Sequence, residues 1–303
     1  MLRTWLIASR PRTLPAAVVP VAVGAALAHR LGHLAPGPVL AALVGALALQ
    51  IGCNFANDYF DWKSGADGPD RLGPTRVTAA GLATPRQVVG ATALAFAVAT
   101  LAGLYLAWVG GWPIVAVGVA SILAAIAYTG GPYPLGYHGL GEATAFVFFG
   151  PVAVLGTTWV QVAGLRLPPA AWAPAALLLS LPVGAWVAAI LVVNNLRDIP
   201  TDTRAGKRTL AVRLGAPATR RVYAGLIALG FLAPVALVAL GLPGLGHPWL
   251  AAAIPTLALP LALGPLRAVY GPPEGPALNA ALGATGRLLA VGGLLLAGGL
   301  AWG

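Results

Sequence analysis

The sequence predicts an all-α, polytopic membrane protein, about nine transmembrane helices bundled around a central cavity. Three observations carry that expectation. Of 303 residues, 58% are hydrophobic and only 9% charged, whereas soluble domains carry about 25% charged residues. Mean hydropathy is +0.84. The apolar runs recur at lengths near the ~20 residues a helix needs to cross a bilayer, and the chain shows none of the short alternating strands that close into β-barrels.

The spans centre near residues 22, 45, 97, 121, 152, 183, 231, 257 and 290. Ahead of the first, Leu2, Trp5, Leu6 and Ile7 beside Arg3 suit a short interfacial helix. Arg10, Pro11 and Arg12 interrupt that apolar stretch, so it does not read as a cleaved signal peptide. Gly and Ala scattered through the spans allow close helix packing. Pro255, Pro260 and Pro265 should kink the eighth span or expose its carbonyls. Connections on one side are short, as at Val109 to Pro113. On the other side three are long: residues 57–86, 128–142 and 196–221. The single Cys53 rules out an internal disulfide.

Basic residues set the orientation. With a cytoplasmic N-terminus, the outer loops hold only Arg30 and Arg166, and Arg287 lies in or beside the last span. The remaining 15 of the 18 Lys and Arg then fall on the inner side. That is a strong positive-inside bias, so the net charge of +10 needs no nucleic acid to explain it.

Six of the eight acids fall in two clusters, Asp58/Asp61/Asp67/Asp70 and Asp198/Asp202; the others are Glu142 and Glu274. An ionised group near hydrocarbon costs several kcal/mol unless paired, so acids in such a chain mark function. On a helix Asn54, Asn57, Asp58 and Asp61 share one face, and Asn194 with Asp198, then Asp198 with Asp202, are i,i+4 pairs. Pro200 sits near a helix break, which makes Asp202 the less certain member. Oxygen donors without nearby His or Cys suit Mg²⁺, which is typically held by one or two carboxylates plus substrate phosphates, rather than zinc or copper. Lys63, Arg71, Arg76, Lys207 and Arg208 are interleaved with these acids and suit phosphate oxygens. The alternative is a set of loop salt bridges with arginines snorkelling at the membrane edge.

The two acidic regions also resemble each other. Asn57-x3-Asp61 closes the second span and Asn194/Asn195 with Asp198 the sixth, each followed by a basic stretch with Arg76-Val-Thr78 or Arg208-Thr209. We expect one transmembrane domain over residues 1–303, with related halves at 10–130 and 140–270 and a final helix at 278–302. Coincidence between two polar loops is the alternative.

These motifs resemble those of the UbiA superfamily of intramembrane aromatic prenyltransferases. Asn57-x3-Asp61 matches the usual first motif, whereas Asp67 lies six positions on rather than four. That spacing, Pro69-Asp-Arg-x-Gly-Pro-x-Arg76, Tyr128 to Glu142, Asn194-Asn-Leu-Arg-Asp198 and Gly206-Lys-Arg-Thr-Leu210 are similar to the 1,4-dihydroxy-2-naphthoate branch. The resemblance implies transfer of a polyprenyl group from polyprenyl diphosphate to that naphthoate, with loss of diphosphate and CO₂. It implies Mg²⁺ as cofactor, catalytic Asp61, Asp67, Asp198 and Asp202, and Asn57 and Asp58 in support at the metal. Arg12, Lys63, Arg71, Arg76 and Lys207 would hold the diphosphate. Asn54, Tyr128, Tyr133, Glu142 and Asn194 would meet the aromatic acceptor, although the tyrosines read equally as interfacial aromatics and Glu142 as a helix N-terminal acid.

The implied partners are the two substrates and the lipid bilayer, with no obligate protein partner, in a plasma (inner) membrane with cytoplasmic active-site loops. Another acceptor, such as 4-hydroxybenzoate, homogentisate or a glyceryl phosphate lipid, is the alternative within the superfamily. A cation-coupled secondary transporter is the alternative outside it. Transporters place broken helices and ion sites at mid-membrane, whereas here the polar residues gather at inner helix ends.

Overall fold

A computed structural model describes residues 2–66, 73–165, 167–242, 245, 248–272 and 275–302. Every regular element among them is helical. In chain order they are α1 (Leu2–Ser9), α2 (Pro15–Arg30), α3 (Pro36–Lys63), α4 (Pro85–Gly110), α5 (Trp112–Ala127), α6 (Gly141–Val147), α7 (Ala153–Val162), α8 (Ala173–Arg204), α9 (Leu210–Ala239), α10 (Trp249–Ala253), α11 (Leu259–Tyr270) and α12 (Gly275–Trp302). A π-helical turn, Phe148–Val152, joins α6 to α7, and a 3₁₀ turn, Ile254–Ala258, joins α10 to α11.

Among the described residues seven helical stretches are long and apolar enough to cross a bilayer. An eighth arises if α1 and α2, bent by 51°, are taken together. The remaining expected span coincides with α5, whose 16 residues fall short of the usual spanning length. The chain is thus a multi-pass membrane protein of the expected class. The eighth span is broken at Pro255, as its prolines require, whereas Pro200 does not end α8, which runs on to Arg204.

The α8 helix is the hub, with 72% of its apolar window buried against 17% for α4. Its Trp186 is fully buried because α9 and α12 yield to it: a Cβ on Gly230 would sit 2.0 Å from the indole Nε1, and one on Gly292 2.9 Å from the ring. Gly184 and Gly150 bring α8 onto the π-turn at backbone distance, since a Cβ on Gly184 would lie 2.7 Å from the Phe146 carbonyl. That approach sets the register between α6 and α8. By contrast α4 and α5 expose Leu94, Leu101, Leu104, Val115, Val119 and Leu123, the apolar surface a lipid-facing helix presents.

The N-terminal elbow is fixed from within. Arg10 adopts a left-handed φ of 51° between α1 and the turn Pro11–Thr13. Asn54 of α3 donates to the Ser9 carbonyl at 3.0 Å and to Thr13 at 3.2 Å, and Gln50 donates to Thr13 at 3.0 Å.

Candidate functional site

The bundle encloses a cavity of about 1040 Å³. Its long walls are apolar and small: Ala42, Gly45, Ala46 and Leu49 of α3, Ala99 and Gly103 of α4, Val117 and Gly118 of α5. Its far end gathers the polar residues of α3, α8 and their following loops, with Arg10 and Arg12 from the elbow. Three carboxylates (Asp61, Asp198, Asp202) and six cationic side chains (Arg10, Arg12, Arg76, Arg197, Arg204, Lys207) are among the described lining residues. A surplus of positive charge in a low-dielectric cleft favours a polyanion.

Asp61 of the first expected acidic cluster and both acids of the second reach this one cavity. On α3 the lining stripe runs Gln50, Cys53, Asn54, Asn57 and Asp61, the i, i+3, i+4, i+7 period of one helical face. Asp61 is buried, with Arg76 ion-paired to its Oδ2. Its Oδ1 accepts from the Tyr137 hydroxyl at 2.5 Å and from Lys207 Nζ at 3.2 Å. Lys207 also lies 4.3 Å above the Tyr137 ring, a cation–π contact. Asp61 therefore binds together the loops after α3, α5 and α8. Asn57 accepts from Thr129 at 2.7 Å through its amide oxygen.

On α8, Arg197 forks onto Asp198, Nε to Oδ1 at 2.7 Å and Nη2 to Oδ2 at 2.6 Å. The same guanidinium donates to Asn194 at 2.9 Å and to Asn279 of α12 at 2.6 Å. Asn194 completes the ring by donating to Asp198 at 3.3 Å. The Arg197 side chain is 1% exposed, so every donor direction is constrained. Asp202 and Arg204 line the cavity one turn further on.

Several expected residues take other places. Asp58 faces away from the cavity: its oxygens accept from the backbone N–H of Val77 and Thr78, each at 2.9 Å, and so staple the loop after α3 to the helix. It sits one residue off the lining stripe, and that rotation is the reason. Lys63 is exposed at the end of α3, its ammonium 5.9 Å from the Tyr59 ring, and is not a cavity wall. Tyr133 is 54% exposed and stacks on His138 at 3.7 Å, outside the cavity. Glu142 is buried behind the wall, where it accepts from Asn195 at 2.8 Å. Asn54 lines the cavity but spends its amide N–H groups on the elbow. Asp67 and Arg71 lie outside the described residues. Tyr128 lines the cavity, and burial pushes its phenol pKa up, Glu142 adding to the shift.

Sequence reasoning left out Arg197, Asn195 and Asn279 as site residues, and weighed Tyr137 only beside the acceptor, whereas its hydroxyl donates to Asp61. A signal existed for Arg197, a guanidinium next to an aspartate in an otherwise apolar helix, which topology alone had seemed to explain. Asn279 is 82 residues away in sequence and carried none.

The donor set fits a hard divalent cation brought with its phosphate: carboxylates of Asp61, Asp198 and Asp202, and amides of Asn57 and Asn194, all face the cavity. Among the described residues no three His, Cys, Asp or Glu side chains converge as a ready-made metal cluster. Each of Asp61 and Asp198 is instead neutralised by a basic neighbour.

An apolar intramembrane cavity capped by two Asn/Asp helix ends and a basic rim is shared with a class of membrane transferase that this chain matches in sequence. The chain belongs to the UbiA prenyltransferase family, which matches over residues 17–277. It is similar to the 1,4-dihydroxy-2-naphthoate octaprenyltransferase of Mycobacterium tuberculosis, 44% identical over 302 residues, covering 99% of this chain and 97% of the relative. Its fold is similar to that of a UbiA homolog from Aeropyrum pernix K1, with a TM-score of 0.69 at 16% identity over 92% of this chain and 96% of that one. A UbiA homolog from Archaeoglobus fulgidus bound to GPP and Mg²⁺ is also similar, with a TM-score of 0.59 at 14% identity over 97% and 99%.

Proposed function

We propose that this protein transfers a polyprenyl group from polyprenyl diphosphate to 1,4-dihydroxy-2-naphthoate, releasing diphosphate and CO₂ and giving the reduced, hydroquinone form of demethylmenaquinone for menaquinone biosynthesis. The observation that carries this reading is the 44% identity, across 99% of the chain, to a naphthoate octaprenyltransferase. The cavity is consistent with it, pairing an apolar length for a prenyl tail with a cationic end for its diphosphate.

In this reading Arg76, Lys207 and Arg12 hold the diphosphate oxygens. Asp61, Asp198 and Asp202, with the amide oxygens of Asn57 and Asn194, hold Mg²⁺. Once bound, the metal supplies positive charge that stabilises the departing diphosphate. Arg76 and Lys207, paired with Asp61 before substrate arrives, turn their donors to phosphate as it binds, so no carboxylate or cation is left bare. The allylic C–O bond breaks with its electrons on diphosphate, the electron-rich ring attacks the allylic carbon, and the ring then loses CO₂. Apolar walls keep water from the allylic cation. Asp58 acts as a staple that delivers Arg76 rather than as a metal ligand. The Lys and Arg bias supports a plasma (inner) membrane setting with the N-terminus and acidic loops cytoplasmic. The matched endings of α3 and α8 support an ancient duplication.

The test is a membrane assay with an allylic diphosphate, Mg²⁺ and each of three ring acceptors, read by mass. Prenylated, decarboxylated product from dihydroxynaphthoate is expected. Product from 4-hydroxybenzoate or homogentisate alone overturns the assignment.

A further inference from the structure

Among the described residues Glu142 is the acid that the chemistry above leaves unused. It is 5% exposed, no cation pairs with it, and its Oε2 has no hydrogen-bond partner. Its Oε1 accepts from Asn195 Nδ2 at 2.8 Å. Apart from that bond its support is the first turn of α6, whose N-terminus favours an acid, so its effect on Asn195 is the place to look.

Asn195 is 8% exposed and lines the cavity. Because its amide nitrogen is held by Glu142, the amide oxygen points the other way. There it meets only a long 3.5 Å approach from Asn194 Nδ2. An amide oxygen has two lone pairs, so one remains for a donor in the cavity. The walls beside it come from α6 and the π-turn (Ala145, Phe148, Phe149) and from α8 (Ile190, Leu191). Two phenyl rings facing aliphatic side chains suit a flat aromatic molecule. The close backbone contact at Gly150 and Gly184 holds α6 against α8 and so keeps Glu142 opposite Asn195.

We propose that Asn195 binds the aromatic acceptor by accepting one of its ring hydroxyls, and that Glu142 is the positioning residue that holds the amide in the accepting orientation. This rests on the naphthoate reading above and adds a specificity element to it: a ring that presents a hydroxyl is favoured over one that does not.

The experiment uses purified full-length protein in detergent, without Mg²⁺ or diphosphate. Equilibrium dialysis compares 4-hydroxy-2-naphthoate, whose hydroxyl is out of reach of its own carboxylate, with 2-naphthoate in the wild type and in Glu142→Gln, Glu142→Leu and Asn195→Ala. One hydrogen bond predicts about a tenfold preference for the hydroxylated ring in the wild type. Glu142→Gln keeps a side-chain oxygen for Asn195 and retains the preference, whereas Glu142→Leu and Asn195→Ala lose it while still binding 2-naphthoate. Asn195→Ala trims a cavity-facing group and carries the test if Glu142→Leu fails to fold. In turnover, Glu142→Leu raises KM for the naphthoate and leaves KM for the prenyl donor unchanged. No hydroxyl preference in the wild type, or a preference that survives Asn195→Ala, overturns the proposal. A preference that holds in an enzyme unable to prenylate dihydroxynaphthoate overturns the naphthoate assignment instead.

Discussion

Asp58→Ala separates a loop staple from a metal ligand. Its carboxylate accepts two backbone hydrogen bonds, from Val77 and Thr78, in a buried setting. Bonds to a charged acceptor contribute about 1.5–3 kcal/mol each, so losing both costs about 3–6 kcal/mol. At ~1.4 kcal/mol per decade, the loop's opening equilibrium should rise at least about a hundredfold. The segment released carries Arg76, the partner of Asp61, and the turn at Thr78–Ala83. Hydrogen exchange should therefore lose protection at residues 76–83, and KM for the prenyl diphosphate should rise. The Mg²⁺ concentration giving half-maximal rate should stay within about twofold, since no ligand is removed. Asp58→Asn should fall between, because one amide oxygen can still take one N–H while its NH₂ faces the other. If Asp58→Ala leaves residues 76–83 protected but raises the Mg²⁺ requirement tenfold or more, the staple argument is wrong.

Four further outcomes follow from the same geometry. Asp61→Asn or Asp198→Asn should cut kcat by about a hundredfold or more in the protein that remains folded and should lower the melting temperature as well, because each leaves a buried cation without its carboxylate; added chelator should abolish wild-type turnover. Arg197→Lys loses the fork onto Asp198 and the reach to Asn279, so kcat should drop about tenfold or more in the same assay. Lys63→Ala should leave kcat/KM within about twofold, because an exposed side chain outside the cavity contributes little. Burial raises the Tyr128 pKa above that of a free phenol, so the group stays protonated through pH 10 and Tyr128→Phe should leave the alkaline limb of the pH–rate profile where it was.

The helices were readable because a bilayer imposes length and apolarity directly on composition, and the nine expected centres fall within apolar helical stretches, those near 152 and 257 on the π and 3₁₀ turns that break two of them. The Asn57/Asp61 and Asn194/Asp198 pairs were readable because helical spacing puts each on one face. What spacing cannot supply is rotation of that face. Asp58 lies three residues before Asp61, close enough to share a side in the sequence, yet it points to the loop after α3. Lys63 and Tyr133 sit in the right segments, but at ends where nothing packs their side chains inward. Asn195 and Glu142 belong to one contact made by helix register, 53 residues apart, and pattern reading treats them separately.

The brevity of α5 has a consequence for the surrounding lipid. Sixteen residues span about 24 Å as a helix, against about 30 Å of hydrocarbon. Trp108 and Trp112, 82% and 78% exposed, mark one end of this helix at the headgroup level. Such hydrophobic mismatch is relieved by drawing the leaflets together. A bilayer that thins to meet α5 would do so beside the helix whose Val117 and Gly118 form a wall of the chamber.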